Sequence, residues 1–582
     1  MCFAFSIANT SNVFGQSTMT PEMKKKMLQE ILKEKIHPDN GVAEEEENDP
    51  GGMLRTTGSV SDKKMSPYFS IGIQEAETSI EVDPGDSNNL VASFILQPPL
   101  STPIYYSSNG GATWTKSNFN SIAITDTDFP GSTIIGGGDP AFAWDKVSGT
   151  VYFSWIVLSE NTAHDTAFFT LNWAYSADKG HTWKVKPGAA HVIGQGALNP
   201  SNGTDYSYKD GICDREWLSI DNSGGANQGN LYCSFVNFVQ GGECVKVKKA
   251  SDTVFGPIHR AYSGSSQFGN VVVDKNGIVH MTIADVSTEA IYHVSSSNGG
   301  NSWTTPHRIY TGVDLWGQTD IVHGRENAAP NLAVDDNNNL YCVWSDYSGD
   351  VYAFYSKSVN KGVSWSTPKR IDSLSPVFMG NGILMPTVAT SGNDVSISAT
   401  VINHSNSDTA NYYQITSTDG GNSFAPWPLL LSSAPTYYPH YTPMASYFFG
   451  DYNRSISSGC MTYAIWEDGR KNQGPKVYTA AVNHCTTGVQ QLTAISSSLQ
   501  IENIYPNPAK DNVTLQCNES KDEAVTVYIY DIAGKLIQQQ AYNLHRGSQN
   551  LSMPLNLHSG MYMLSVYNAE GLVATRNLQV VK

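Results

Sequence analysis

No apolar run in this 582-residue chain approaches the ~18 residues that a membrane-spanning helix needs. Charge is scarce at 15% of residues, and positive charge scarcer still. The 36 Lys and Arg are outnumbered by 53 Asp and Glu, giving a formal net charge of −17 and a pI near 5.2. That balance excludes general binding to a phosphate backbone, which needs clustered cations, so no nucleic-acid partner is expected. The eight cysteines contain no C-x-x-C pair of the kind that holds zinc. A G-x-S-x-G nucleophile elbow, an H-E-x-x-H zinc helix and a phosphate-cradling Gly loop leading into a helix are also missing. What the chain does have is 11% aromatic residues, 50 Gly and 27 Pro, the composition of an all-β protein with many turns.

One turn sequence recurs five times: Ser107 to Trp114, Ser176 to Trp183, Ser296 to Trp303, Ser358 to Trp365 and Ser417 to Phe424. Its grammar is S-x-[DN]-x-G-x-[ST]-[WF]. Asp or Asn can bond the backbone two residues on, Gly supplies a positive φ, and the closing aromatic anchors the turn in apolar packing. From about Ser79 to Asn483 the turns fall within seven copies of one larger unit of roughly 45 to 70 residues. A short strand often ends in Val-Asp or a relative, as at Val82-Asp83 or Val334-Asp335. An aromatic-rich second strand follows, as in Val151-Tyr-Phe-Ser-Trp155, and a third strand leads into the turn. In the third unit the turn has decayed to Ser251-Asp-Thr-Val-Phe255, and the seventh has none.

The repeated turn resembles the Asp-box, or bacterial neuraminidase repeat, of sialidase-like β-propellers. That resemblance implies an all-β propeller over residues 68–492 in which the boxes are structural. Known sialidases have six blades, whereas the seven units here favour seven. From residue 499 the grammar changes. Tyr505-Pro-Asn-Pro508, Val525 to Lys535, Leu557 to Tyr562 and the final Val-Val-Lys582 together resemble the C-terminal sorting domain of the type IX secretion system. Alternating apolar strands separated by Gly and Asn turns agree with a small Ig-like β-sandwich over 499–582. The resemblance implies a Bacteroidota-type source, handling by the type IX machinery, and a secreted or outer-membrane surface location.

Ahead of the propeller, residues 1–16 read as a poor signal peptide or the remnant of one, because a positively charged start and a long apolar stretch are lacking. Residues 17–67 read as a helical segment, capped at Thr20, followed by an acidic linker from Glu44 to Gly52. Cys460 and Cys485 flank a hairpin and would form either a disulfide or two buried thiols; Cys233 and Cys244 flank another with a poorer match.

In a propeller, loops before each first strand and after each second strand share one face. They carry Glu75, Glu77, Asp139, Asp214, Arg215, Glu216, Arg325, Glu326, Asp451, Tyr452, Arg454, Asp285, Asp346, Glu467, Asp468 and Arg470, so acids, arginines and a tyrosine converge on one funnel. The sialidase resemblance implies a carboxylate clamp of Arg215, Arg325 and Arg470, with Asp451 beside it. It further implies Tyr452 as nucleophile, Glu216 or Glu326 as its partner and Asp139 as acid. The family's Arg-Ile-Pro motif is missing; Ser79-Ile-Glu-Val stands in its place. Two readings follow. One is a glycan-cleaving, exo-sialidase-like glycoside hydrolase; the other is a non-catalytic surface propeller that binds glycans or proteins. The bland alternative for single residues is structural, with Asp468 and Arg470 as a salt bridge inside a blade. No cofactor is expected. The acidic loops Asp335 to Asn339 and Asp221 to Ser223 could hold calcium but read more simply as solvated turns. Tyr437 to Tyr441 reads as a sugar-stacking platform or a packed loop, and the chain as a monomer.

Overall fold

In the computed structural model, residues 62–65, 74–97, 101–121, 129–199, 206–314, 316–317, 326–327, 329–348, 351–375, 378–402, 409–425, 428–437, 450–470, 475–484, 499–531, 536–568 and 571–582 are described. The expectations for residues 1–16, for the helical segment and acidic linker, and for Arg325, Cys485 and 438–441 fall outside them.

The described chain is all-β apart from short 3-10 turns. Its first unit holds seven antiparallel sheets of four or five strands, the number of units read from the sequence. Their first strands are Gln74–Val82, Thr133–Trp144, Cys213–Ile220, Ser266–Val273, Asn331–Val334, Gly382–Ser391 and Arg454–Ser458. Each of these packs against the first strand of the next sheet, and the seventh returns to the first, which closes a propeller. The closing sheet takes its fourth strand from the other end of the unit, because Lys63–Lys64 pairs with Lys476–Asn483. Apolar clusters fill the spaces between successive sheets. One joins Val91, Phe142, Phe153 and Trp155 across the first and second; another joins Leu90, Phe94, Tyr463 and Ile465 across the first and seventh.

All five recurrent turns adopt one hydrogen-bonding scheme. The Ser hydroxyl accepts the N–H of the Gly four residues on, at 2.9 Å for Ser107, Ser176, Ser296 and Ser417 and 2.8 Å for Ser358. The Asp or Asn side-chain oxygen then accepts the N–H four residues further, as in Thr182 to Asp178 at 2.9 Å. Each turn lies on the preceding sheet. At Gly180, with φ of 86°, a Cβ would come within 2.4 Å of Val91, so both the positive φ and the close approach require glycine. The first turn lies on the seventh sheet, where Trp114 Nε1 donates to Thr479 Oγ1 at 3.0 Å.

Within the second unit, the described residues of 499–582 form a sandwich of a three-stranded and a four-stranded antiparallel sheet around Val513, Leu515, Val527, Ile529, Leu564 and Leu578. Cys460 is disulfide-bonded, while Cys233 and Cys244 are free and buried on adjacent strands, which settles that pair as thiols.

Candidate functional site

Five of the seven first strands carry a β-bulge at the same level, and in each the residue opening the bulge is non-glycine with a left-handed backbone. These residues are Glu77, Asp139, Arg215, Phe268 and Met385, with φ between 47° and 62°. A bulge takes a residue out of the ladder and re-aims its side chain. Strain of this kind is retained where surrounding structure over-determines it, commonly at ligand sites. The bulges ring the axis of the propeller and supply much of its side-chain chemistry.

A pocket at this level is lined from five sheets, by Arg215, Trp217, Phe268, Met385, Asp451 and Tyr452 among others. At its centre Arg215 Nη2 lies 3.0 Å from Asp451 Oδ2, and both side chains are buried. The Arg215 guanidinium stacks 3.4 Å from the centroid of Phe268 and 5.3 Å from that of Tyr452. Tyr452 meets Trp217 edge-on at 5.9 Å, and Arg454 covers Trp217 at 4.3 Å while pairing with Glu81 at 3.7 Å. Two asparagines of the pocket lining tie successive sheets: Asn270 Oδ1 accepts the N–H of Leu332 at 3.0 Å, and Asn331 Oδ1 that of Val388 at 2.8 Å.

The surroundings are acidic. Burial, reinforced by Asp139 and Asp451 and opposed by Arg215, pushes the Glu77 carboxyl up to about 7. Burial, with Asp139 adding to it, holds Glu216 well above the carboxylate range; burial, with Glu77 and Asp451 adding to it, does the same for Glu467. Glu243 rises to about 8 through burial, and Glu81 to about 7 by burial against the pull of Arg454. Such perturbed carboxyls beside a pocket mark a functional-site candidate.

The structure brings Arg215, Asp451, Tyr452 and Glu216 to one pocket lining. Asp139 stands on the neighbouring bulge, close enough for its charge to raise both Glu77 and Glu216. Arg470 is engaged otherwise: its guanidinium bonds Asp468 at 2.5 Å, Asp62 at 2.6 Å and Ser433 at 2.7 Å and stacks on Tyr478. That is the salt bridge within a sheet that the sequence offers as the structural reading. Arg325 lies outside the described residues, and Glu326 is described only as backbone of a two-residue strand. A three-arginine clamp is therefore not assembled among the described residues. Asp335 closes its own turn, accepting the N–H groups of Asn337 and Asn339 at 2.8 Å each, as the turn reading requires. Phe268, Met385 and Trp217 were not legible as site residues. The only signal was the bulge position, which repeats a conformation and not a residue type.

Comparison with known proteins identifies the tail. Residues 503–581 match the secretion system C-terminal sorting domain. The tail is a type IX secretion address. The chain is thus handled by that machinery and is secreted or displayed at the cell surface. No helix among the described residues is long and apolar enough to cross a membrane. No curated protein matches the chain. Among solved structures it is similar to a protein of unknown function from Dyadobacter fermentans, at 10% identity and a TM-score of 0.39 over 73% of this chain and 99% of that one. It is also similar to the Hadza microbial sialidase Hz136, at 15% and 0.38 over 71% and 66%. A third is the α-L-arabinofuranosidase Arb93A from Fusarium graminearum, at 12% and 0.36 over 73% and 97%. At such identities and scores none of these transfers a chemistry to this chain.

Proposed function

We propose that this chain is an exported, Asp-box, sialidase-like propeller of a Bacteroidota-type bacterium, acting as a monomer that engages a terminal sugar of a glycan or glycoprotein in the axial pocket. The observation that carries the reading is the pocket itself. It gathers the aromatic faces of Trp217 and Tyr452, the Arg215–Asp451 pair and buried polar groups from five separate sheets into one concavity. Aromatic walls with a few fixed polar groups are how proteins hold sugars and other small ligands. Burial of both partners fixes the ion pair as a scaffold for the site.

A second reading, hydrolysis, is favoured by one observation. Glu216, whose carboxyl burial pushes well above its ordinary range, lines the same pocket as the Arg215–Asp451 pair, which puts a candidate proton donor in the lining. In this reading Tyr452 is the nucleophile, with Glu216 and Asp139 handling protons. The test is purified full-length protein against a glycan array and a panel of chromogenic glycosides, with Trp217→Ala and Tyr452→Phe alongside. Binding lost in Trp217→Ala supports the site. Turnover lost in Tyr452→Phe with binding retained supports hydrolysis. Wild-type behaviour in both variants places the ligand elsewhere and sinks the proposal.

A further inference from the structure

We infer that the axial pocket takes a neutral sugar and rejects sugars bearing a carboxylate. The inference rests on the pocket being the glycan site and concerns which glycans it accepts. Its first ground is the state of the cation. Arg215 is the pocket's arginine, and its charge is already matched by Asp451 at 3.0 Å, with side chains 5% and 0% exposed. Its guanidinium carbon lies 3.4 Å from the ring centroid of Phe268 and 5.3 Å from that of Tyr452. A ligand carboxylate at the guanidinium would either displace Asp451 or add a second anion to the buried pair. Displacement would leave a buried carboxylate facing Glu77 and Glu467, whose own carboxyls its charge already pushes upward. Gly450 keeps these acids close, because a Cβ there would come within 2.8 Å of the Glu77 amide and 2.9 Å of Glu467 Oε1.

The second ground is independent and concerns the neutral polar groups. Asn270 and Ser345 both line the pocket and are 2% and 1% exposed. Asn270 Nδ2 and Ser345 Oγ have no hydrogen-bond partner among the described residues. The orientation of the Asn270 amide is fixed by chemistry, since its other atom accepts the Leu332 N–H and must be the oxygen. The NH2 group is left as a donor for a ligand. A fixed amide donor and a hydroxyl beside Trp217 and Tyr452 suit the hydroxyl groups and the apolar face of an uncharged sugar ring. They add no positive charge for an acid.

The experiment measures full-length protein on an array that pairs neutral glycans with counterparts ending in sialic or uronic acid, at ionic strengths from 20 to 500 mM (roughly a fivefold range of screening length). The expected result is binding confined to the neutral members and nearly independent of salt. Asp451→Asn should uncover the Arg215 charge and gain carboxylated ligands by at least about tenfold, and Asn270→Ala should weaken neutral ones to a similar extent. Should Asp451→Asn fail to fold, the salt dependence of the wild type decides alone. Preference for carboxylated glycans, weakening as salt rises, overturns the inference and leaves the glycan reading standing. Binding of no glycan at all overturns both.

Discussion

Replacing Glu243 with Gln should change the pH dependence of the propeller's stability in one defined direction. Glu243 lies fully buried under the bulge formed by Phe268 and Gly269, so tightly that a Cβ at Gly269 would fall within 2.1 Å of its Oε1. Burial raises its carboxyl to about 8, against the opposing pull of the Ser266 hydroxyl, the Arg215 charge and the Gly269 amide. Below the unfolded value of 4.5 the group is protonated in both states and contributes no pH dependence. Between 4.5 and about 8 the unfolded chain releases a proton that the folded chain keeps, so stability falls as pH rises. Above 8 the penalty is constant. At roughly 1.4 kcal/mol per pH unit, the interval amounts to about 3–5 kcal/mol. Glu243→Gln removes this titration and nothing of the shape. Wild type and variant should therefore be close at pH 5, and the variant more stable by about 3–5 kcal/mol at pH 9. The other raised carboxyls, Glu77, Glu81, Glu216 and Glu467, remain in both proteins and cancel in the comparison. Eleven of the 12 tryptophans belong to the first unit, so urea unfolding followed by tryptophan fluorescence reports chiefly the propeller. Parallel stability curves for the two proteins across pH 5 to 9 would refute the reasoning.

Three further outcomes are expected. Trp183→Ala removes a ring packed on Phe119, Phe142 and Phe153 and should cost about 3 kcal/mol by the same fluorescence assay, with glycan binding per folded molecule unchanged; unaltered melting with lost binding would make the turn functional. Arg215→Ala leaves Asp451 buried beside Glu77 and Glu467 and should destabilise the propeller by about 3–5 kcal/mol, more than a surface charge deletion does. A chain ending at Leu492 should keep the propeller's circular dichroism and tryptophan spectrum but stay inside the cell, since the sandwich has its own core; normal export of the truncated chain contradicts the address.

The rim of the propeller was legible in the sequence because its geometry prescribes residue types. The turn needs Ser to accept an N–H, Asp or Asn to accept another, and Gly to lie against the preceding sheet, so the pattern seen at Ser176, Asp178 and Gly180 returns, with Asp or Asn at the middle position, in every intact copy. The tail was legible for a similar reason, since ordered motifs mark its strands and turns. Arg470 was harder. Its placement before ring closure looks like that of a ligand-binding arginine; its bond to Asp468, two residues back, is readable as a local alternative, whereas its bond to Asp62, 408 residues away, is announced by no local pattern.

The axis is written in a different code. A bulge at the same level of five first strands demands a left-handed backbone and a side chain re-aimed toward the centre, but it leaves the choice of side chain open. This chain fills the five positions with Glu77, Asp139, Arg215, Phe268 and Met385. Two are acids, one is the cation that Asp451 neutralises, and two are apolar residues of the same pocket lining. A repeat search sees no repeat in that series; of the three arginines that the sialidase resemblance implies, Arg215 lines the pocket and Arg470 is bonded to Ser433, Asp62 and Asp468. Within this chain the rim repeats its shape through residue identity, whereas the axis repeats its shape through φ alone. The closed ring of seven sheets carries the propeller, and the charge selectivity we infer rests on Arg215 and Phe268 among the five bulge residues and on their partners in this chain.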